Sequence, residues 1–473
     1  MKQYDAVVIG GGPSGQAASV RLAQAGKKVA VVERDFVGGI CVNWGCTPSK
    51  AMIESAKIIQ HVKEASHYGV EPNGFQVNFS RIAERRNQVV EEVREATKDL
   101  LLHHKIDIYQ GEAVIEAPGK VMVKGGKLDI DAVTMHYDGN DEELATEHII
   151  IATGSAPLVP PGIDENNPHL VNSNRLISIN ELPESLTIVG GGVIGIEFAT
   201  IFSNLGAKVT IVEFLPRVLA LMDEEISAEI TSILEGKGVS IYTGHMMTNI
   251  DENGVVTAKN RETEEEVKIE SQMTLLSIGR KAVIDHELCE KLGLEFERRG
   301  ICVDDYMRTN IPGIWAIGDA TGKSILAHVG IQQGIVCAEN ILKGEADQLR
   351  EMDYDVIPAV IYSLPEIVTV GTVPEDLTDV KVVKVPFNKN LRAAIEERGE
   401  GFIKLWIKDN RILAVQAIGF VVSEIIQEIA NMIALGTDIR EVAEIIHPHP
   451  TYAEITRSAM EYALGQAVDF YLD

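Results

Sequence analysis

Basic residues are scarce in this sequence: Lys and Arg number 43 against 70 Asp and Glu, a formal net charge of −27. Phosphate binding needs clustered Lys and Arg, so the shortage argues against a nucleic-acid partner, and an anionic membrane surface would not attract the chain. Long apolar runs are also missing. No stretch of about eighteen apolar residues occurs, and MKQYDAVVIGGG leads straight into a strand, so neither a transmembrane helix nor a cleavable signal is expected. Cysteine is sparse as well: five, scattered along 473 residues, do not make an extracellular disulfide framework. A cytoplasmic protein is the expectation. What remains is ordinary globular material, 45% hydrophobic and 24% charged, which argues against a disordered chain. The length predicts about two to four domains at ~100–200 residues each.

The chain repeats itself at long range. Residues 4–9 (YDAVVI) form an apolar run ending in Gly10-Gly11-Gly12-Pro13-Ser14-Gly15; a helical stretch follows, then KKVAVVE ending at Glu33. Residues 186–189 (LTIV) lead in the same way through Gly190-Gly191-Gly192-Val193-Ile194-Gly195 to AKVTIVE ending at Glu213. In both copies 23 positions separate the first glycine from the glutamate. One G-x-G-x-x-G turn is a weak signal; two, each between strand and helix with an acidic residue at that distance, are a strong dinucleotide-binding signal. Gly10 and Gly190 permit the tight turn, Gly12 and Gly192 the approach of a pyrophosphate, and Gly15 and Gly195 close helix–strand packing. The pyrophosphate then sits at the helix N-terminus, where unpaired N–H groups and the dipole favour negative charge.

Between the copies, residues 81–105 carry Ile82, Val89, Val93, Ala96 and Leu100 at helical spacing, which predicts an amphipathic helix with that face toward the core. IIIATG (149–154) reads as a buried strand and the Pro/Asn-rich 157–168 as a linker. TNIPGIWAIGDA (309–320) reads as another apolar strand, ending in Gly318-Asp319. From about residue 350 strand-like runs (PAVIYS, GFIKLWI, ILAVQAIGF) mix with helices and no fingerprint occurs, as in an α+β domain.

Two constellations carry chemistry. Cys41 and Cys46 flank VNWG in GGICVNWGCTPSK (38–50), eight residues after Glu33 and therefore beside whatever the first fingerprint binds. A thiol at a helix start has its thiolate stabilised, as disulfide exchange requires. Zinc would want a second pair or a spaced His set, so a redox disulfide is favoured over zinc ligands or structural thiols. Near the C-terminus HPHPTYAE sets Glu454 five residues beyond His449, a carboxylate placed to orient a basic imidazole, with His447 in a supporting or structural place.

The cysteine segment, the paired fingerprints and HPHPTYAE, in this order over essentially the whole chain, resemble the class I flavin-dependent pyridine nucleotide–disulfide oxidoreductases, most of all the dihydrolipoamide dehydrogenase group. The resemblance implies an α/β protein with two Rossmann-like domains, one binding FAD (1–150 and 280–348) and one binding NAD (151–279), and a C-terminal α+β dimerisation domain (349–473). It implies an enzyme that oxidises dihydrolipoamide, free or on a lipoyl-bearing protein, with NAD⁺ through a Cys41–Cys46 disulfide. It further implies a homodimer serving a 2-oxo acid dehydrogenase or glycine cleavage complex. Cys46 would contact the flavin and Cys41 exchange with substrate; Lys50 would lie near the flavin ring. Glu33 would take the adenosine ribose of FAD, Ala113 and Gly154 would contact FAD through the backbone, Asp319 would hold the ribityl chain, and Ala327 would open a helix toward the flavin's pyrimidine side. Glu197 would approach the nicotinamide and Gly279 belong to the cofactor set. His449, with Glu454 as partner, would reach the disulfide of the other subunit as base. Glu213 would accept both ribose hydroxyls of NAD and repel a 2′-phosphate; Arg217 lies four residues on, but no arginine cluster follows.

Several positions depart from the usual pattern: Thr47 after the second cysteine, VGIQQG after His328, Leu364 in YSLPE, KAV after Gly279-Arg280, and Pro448 between the histidines. None removes a reacting group. The competing readings are a glutathione- or mercuric-reductase-like enzyme and a non-catalytic flavoprotein scaffold. The tail QAVDFYLD lacks the cysteine pair a mercuric reductase would want, and the intact set of Cys41, Cys46, His449 and Glu454 speaks against a scaffold.

Overall fold

A computed structural model of the chain describes residues 2–125, 127–130, 133–136, 141–344 and 348–471. Near-continuous apolar runs such as YDAVVI and IIIATG suit strands covered on both faces, and these two pair in parallel in a mixed sheet. The first sheet orders its strands Asp107–Gln110, Val29–Glu33, Lys2–Ile9, Glu142–Ile151, Lys120–Lys124 and Glu112–Ala117. The late strand Ile314–Ala316 returns to pair in parallel with Glu142–Ile151. That strand has three residues because Ile311-Pro312-Gly313 turns the chain just before it, closed by the Ile314 N–H on the Ile311 carbonyl (3.0 Å). Helices Pro13–Gln24 and Ala327–Lys343 cross closely on this sheet, and a Cβ at Gly334 would lie 2.4 Å from the Ser14 carbonyl oxygen.

The second sheet is parallel throughout, in the order Leu170–Val171, Met273–Leu276, Ser185–Val189, Lys208–Val212 and Ser240–Tyr242. The chain passes to and from it on a two-stranded antiparallel ribbon, Ser155–Pro157 with Arg280–Ala282. A third, five-stranded antiparallel sheet runs Ala359–Ile361, Glu366–Gly371, Arg411–Gly419, Phe402–Lys408 and Lys381–Pro386. Helices Val422–Leu435 and Glu454–Ala463 supply apolar side chains to a core shared with this sheet.

The long helix forms, as Phe79–His103, but its buried face differs from the one expected. Phe79, Ala83, Arg86, Val90, Thr97 and Leu101 are buried, while Val93, Ala96 and Leu100 are exposed. The stripe is rotated by about one residue because two of its members are polar. Arg86 is 2% exposed, donates to the carbonyls of Ser178 and Ile179, and is pushed down to about 10 by burial. Thr97 satisfies its hydroxyl on the Val93 carbonyl (2.8 Å). A count of apolar residues alone cannot find such a face.

Candidate active site

The two fingerprints are alike atom by atom. The Gly10 and Gly190 N–H groups each donate at 2.8 Å to a strand carbonyl, of Val32 and Val212, at φ +108° and +107°. A Cβ at Gly15 or Gly195 would stand 2.0 Å from the carbonyl oxygen of Gly10 or Gly190, so both helices need glycine there to approach their strands. Glu33 accepts the N–H groups of Gly11 (2.6 Å) and Asp35 (2.7 Å); Glu213 accepts those of Gly191 (2.5 Å) and Leu215 (2.6 Å). Each carboxylate thus ties its strand end to the glycine turn and keeps lone pairs for ribose hydroxyls. Burial pushes the Glu33 carboxyl up, against the two N–H bonds. Nothing stands within 4 Å of a Cβ built on Gly192, and one on Gly12 would meet only the Gly39 Cα, at 3.9 Å. Neither helix is capped by a side chain. Open space above uncapped N–H groups fits a pyrophosphate at each turn.

The first turn opens into a cavity of about 1860 Å³, well above the ~300–1,000 Å³ of an ordinary small-molecule site. Gly10, Gly12, Glu33, Ala113, Gly154, Asp319 and Ala327 line it, and so do Cys41, Cys46, Lys50 and Glu197. Asp319 is fixed by a relay: Arg280 Nε donates to Ser155 Oγ (2.8 Å), which donates to Asp319 Oδ2 (2.5 Å). Ala327 begins its helix after an uncapped Leu326, leaving first-turn N–H groups for a ligand. Gly15 lies behind the wall. Gly190, Gly192, Gly195, Glu213 and Gly279 are not part of this cavity; the second fingerprint reaches it through Val193, Ile194, Glu197 and Phe198. Near Glu213, Arg217 turns away to donate to the Met222 carbonyl (2.7 Å), and Arg261 stacks on the Phe214 ring at 3.8 Å. These features fit a long dinucleotide along the cavity and a second one meeting it at Glu197.

Cys46 is the first residue of helix Cys46–Glu64, and Cys41 lies in the short helix Gly39–Asn43. Both sulfurs are reduced. The Cys41 thiol donates to Cys46, and this hydrogen bond, with the Lys50 ammonium one turn along, brings Cys46 down to about 7 against the effect of burial. Cys41, whose proton is held between the sulfurs and which is itself half-buried, is pushed up. Lys50 Nζ donates to both Glu197 oxygens, at 3.0 and 3.1 Å. Sequence reasoning missed what holds this loop. Asn43 donates to the carbonyls of Gly39 (2.8 Å) and Val37 (3.1 Å) and accepts Arg94 Nε (2.8 Å), whose guanidinium covers the Phe36 ring at 3.9 Å. The signal lay inside VNWG, where a buried asparagine between two cysteines needs partners.

His449 Nδ1 lies 2.9 Å from Glu454 Oε1, and the Thr451 N–H donates to Oε2 at 2.8 Å. Burial opposes ionisation of Glu454, but Thr451 and His449 outweigh it and hold the carboxyl below its usual range. The imidazole is 64% exposed and is not part of the cavity wall that Cys41 lines. His447 is spent on Glu428 and the Ile445 carbonyl, at 3.0 Å each.

Comparison with known proteins agrees with this geometry. Residues 4–334 match the pyridine nucleotide-disulphide oxidoreductase family and residues 357–460 the dimerisation domain of the same proteins. The chain is 35% identical to a dihydrolipoyl dehydrogenase of Bacillus subtilis, covering 99% of each chain, and 34% identical to that of Chlamydia muridarum, covering 96% and 95%. Among solved structures, the Cu(II) complex of the HOCl-induced flavoprotein disulfide reductase RclA from Escherichia coli superposes with a TM-score of 0.84 at 26% identity, covering 98% of this chain and all of that one. LpdA from Mycobacterium tuberculosis shares the fold, with a TM-score of 0.85 at 23% identity and 98% coverage of this chain. No described helix is long and apolar enough to cross a membrane. The chain belongs to the pyridine nucleotide–disulfide oxidoreductases, flavoprotein enzymes that use FAD and NAD.

Proposed function

We propose that the enzyme oxidises dihydrolipoamide, free or carried on the lipoyl protein of a 2-oxo acid dehydrogenase or glycine cleavage complex, with NAD⁺. The observation that carries this reading is the Cys41–Cys46 pair at the junction of the cavity with the second fingerprint, with Cys46 poised as thiolate at the helix start. In the oxidised enzyme the two sulfurs form a disulfide. His449, its Nδ1 proton committed to Glu454, takes a proton at Nε2 from one substrate thiol. That thiolate attacks Cys41, forming a mixed disulfide and expelling Cys46 as thiolate. The second substrate thiol, deprotonated in turn, attacks the mixed disulfide, releases Cys41 and leaves as the cyclic disulfide. Held along the first fingerprint, FAD would supply the electron sink for the resulting dithiol, and NAD⁺ held at the second would supply the final hydride acceptor.

FAD would lie on Gly10, Gly12, Glu33, Ala113, Gly154, Asp319 and Ala327, and NAD on Gly190, Gly192, Glu213 and Glu197, with Gly15, Gly195 and Gly279 shaping the backbone. The three sheets support a division into an FAD domain (1–150 and 280–348), an NAD domain (151–279) and a dimerisation domain (349–473). The dimerisation-domain match supports a homodimer, and His449 would serve the cysteines of the second copy. A second reading, reduction of a thiophilic metal ion, draws on the likeness to a disulfide reductase solved as a Cu(II) complex. Assays of dihydrolipoamide, glutathione, Hg²⁺ and Cu²⁺ with NAD(H) and NADP(H) decide between them. Dihydrolipoamide with NAD⁺ is expected to react fastest by kcat/KM; preference for a metal ion or glutathione overturns the lipoyl reading.

A further inference from the structure

Tyr362 is accounted for by neither the fingerprints nor the cysteine motif. It follows the strand Ala359–Ile361 of the third sheet, yet it lines the cavity. Its ring centroid lies 4.2 Å from Lys50 Nζ, and its main-chain N–H donates to Glu197 Oε1 at 3.0 Å. One residue therefore touches both members of the Lys50–Glu197 pair. Lys50 stands one turn after Cys46, so the two share a helix face. The charged neighbours oppose each other there: the ammonium favours the Cys46 thiolate and the Glu197 carboxylate disfavours it. Left with Glu197 alone, the flexible ammonium would follow the carboxylate or solvent. An aromatic face adds an attraction fixed in direction by the strand that bears it. Burial first, then Glu366, Glu197 and Cys46, push the Tyr362 hydroxyl up, so the side chain stays neutral beside the thiolate.

We propose that Tyr362 is a positioning residue for the dithiol reaction: its ring holds the Lys50 ammonium where it stabilises the Cys46 thiolate. The proposal rests on the reading of Cys46 as the thiolate of the pair. The test uses holoenzyme carrying Cys41→Ser, whose hydroxyl can still donate to Cys46. The pH dependence of Cys46 alkylation by iodoacetamide, located by peptide mass, gives the thiolate midpoint without turnover. Tyr362→Leu is expected to raise that midpoint by about half to one pH unit, about two- to fivefold slower alkylation at pH 7. Tyr362→Phe keeps the ring and restores the midpoint. With Lys50→Met in place, Tyr362→Leu is expected to add no further shift, because the ring acts through the ammonium. Tyr362→Met takes the place of the leucine variant should that one not fold. An unchanged midpoint in the ring-less variant, or an equal shift in the Lys50→Met background, overturns the proposal. No substrate enters the measurement, so its failure is distinct from failure of the dihydrolipoamide assay.

Discussion

At the residue scale the site divides between groups that react and groups that hold them. Cys46→Ser is expected to abolish dithiol oxidation while the protein stays yellow, because the hydroxyl cannot be expelled as a thiolate yet fits the same helix start; full dithiol–NAD⁺ activity in that variant would remove Cys46 from the mechanism. Glu454→Gln tests the holding role. Its amide can donate to Nδ1 and turn the tautomer so that Nε2 carries the proton, and kcat should fall about 10²- to 10⁴-fold, with flavin reduction by NADH intact. The carboxyl of Glu454 is depressed, so the stability its pairing adds is complete above the ordinary carboxylate range and is lost as pH falls through the lower folded value. Cys41, Cys46 and Lys50 are legible because they share one short segment. Asn43–Arg94 and Lys50–Tyr362 are not, since they join residues 51 and 312 positions apart and follow no local period.

At the element scale the first and last glycines of each turn were legible, since Gly10, Gly15, Gly190 and Gly195 answer steric demands that recur in the repeat, whereas open space stands over Gly12 and Gly192. The long helix Phe79–His103 was legible as a helix and not as a face: Arg86 and Thr97 are buried through hydrogen bonds that composition does not reveal. The repeat also permits a dissection. Gly15→Ala and Gly195→Ala each force a Cβ to 2.0 Å from a carbonyl oxygen, and neither helix can yield without moving its first turn. Overpacking of this kind costs about 1–3 kcal/mol, or roughly ten- to a hundredfold in affinity for what the turn binds. Gly15→Ala should therefore lose flavin on gel filtration and emerge pale. Gly195→Ala should stay yellow with a KM for NAD⁺ raised about ten- to a hundredfold. A raised nicotinamide KM in the first variant with flavin fully retained would show the assignment of the two turns to be reversed.

At the scale of the whole molecule the chemistry is split between distant parts of one chain. The cysteine pair faces the cavity, whereas the His449–Glu454 pair lies on the third sheet's side with its imidazole exposed. A base exposed in this way acts only if something else brings the disulfide to it, and a two-fold dimer does so twice, each copy lending its histidine to the other. The sequence supplied both halves as motifs, and the resemblance implied that His449 reaches the other subunit's disulfide, which residue spacing alone does not reveal. Co-expression of differently tagged Cys41→Ser and His449→Gln chains separates the two arrangements. Each homodimer lacks one component at both sites and should be inactive. In the mixed dimer, one site combines both defects and the other combines intact cysteines with an intact histidine. Random pairing makes about half the dimers mixed, so the mixture should regain about a quarter of the wild-type dithiol–NAD⁺ rate, and purified mixed dimers about half. Were His449 to serve its own chain, every site in every dimer would carry one defect, and no activity would return at any mixing ratio.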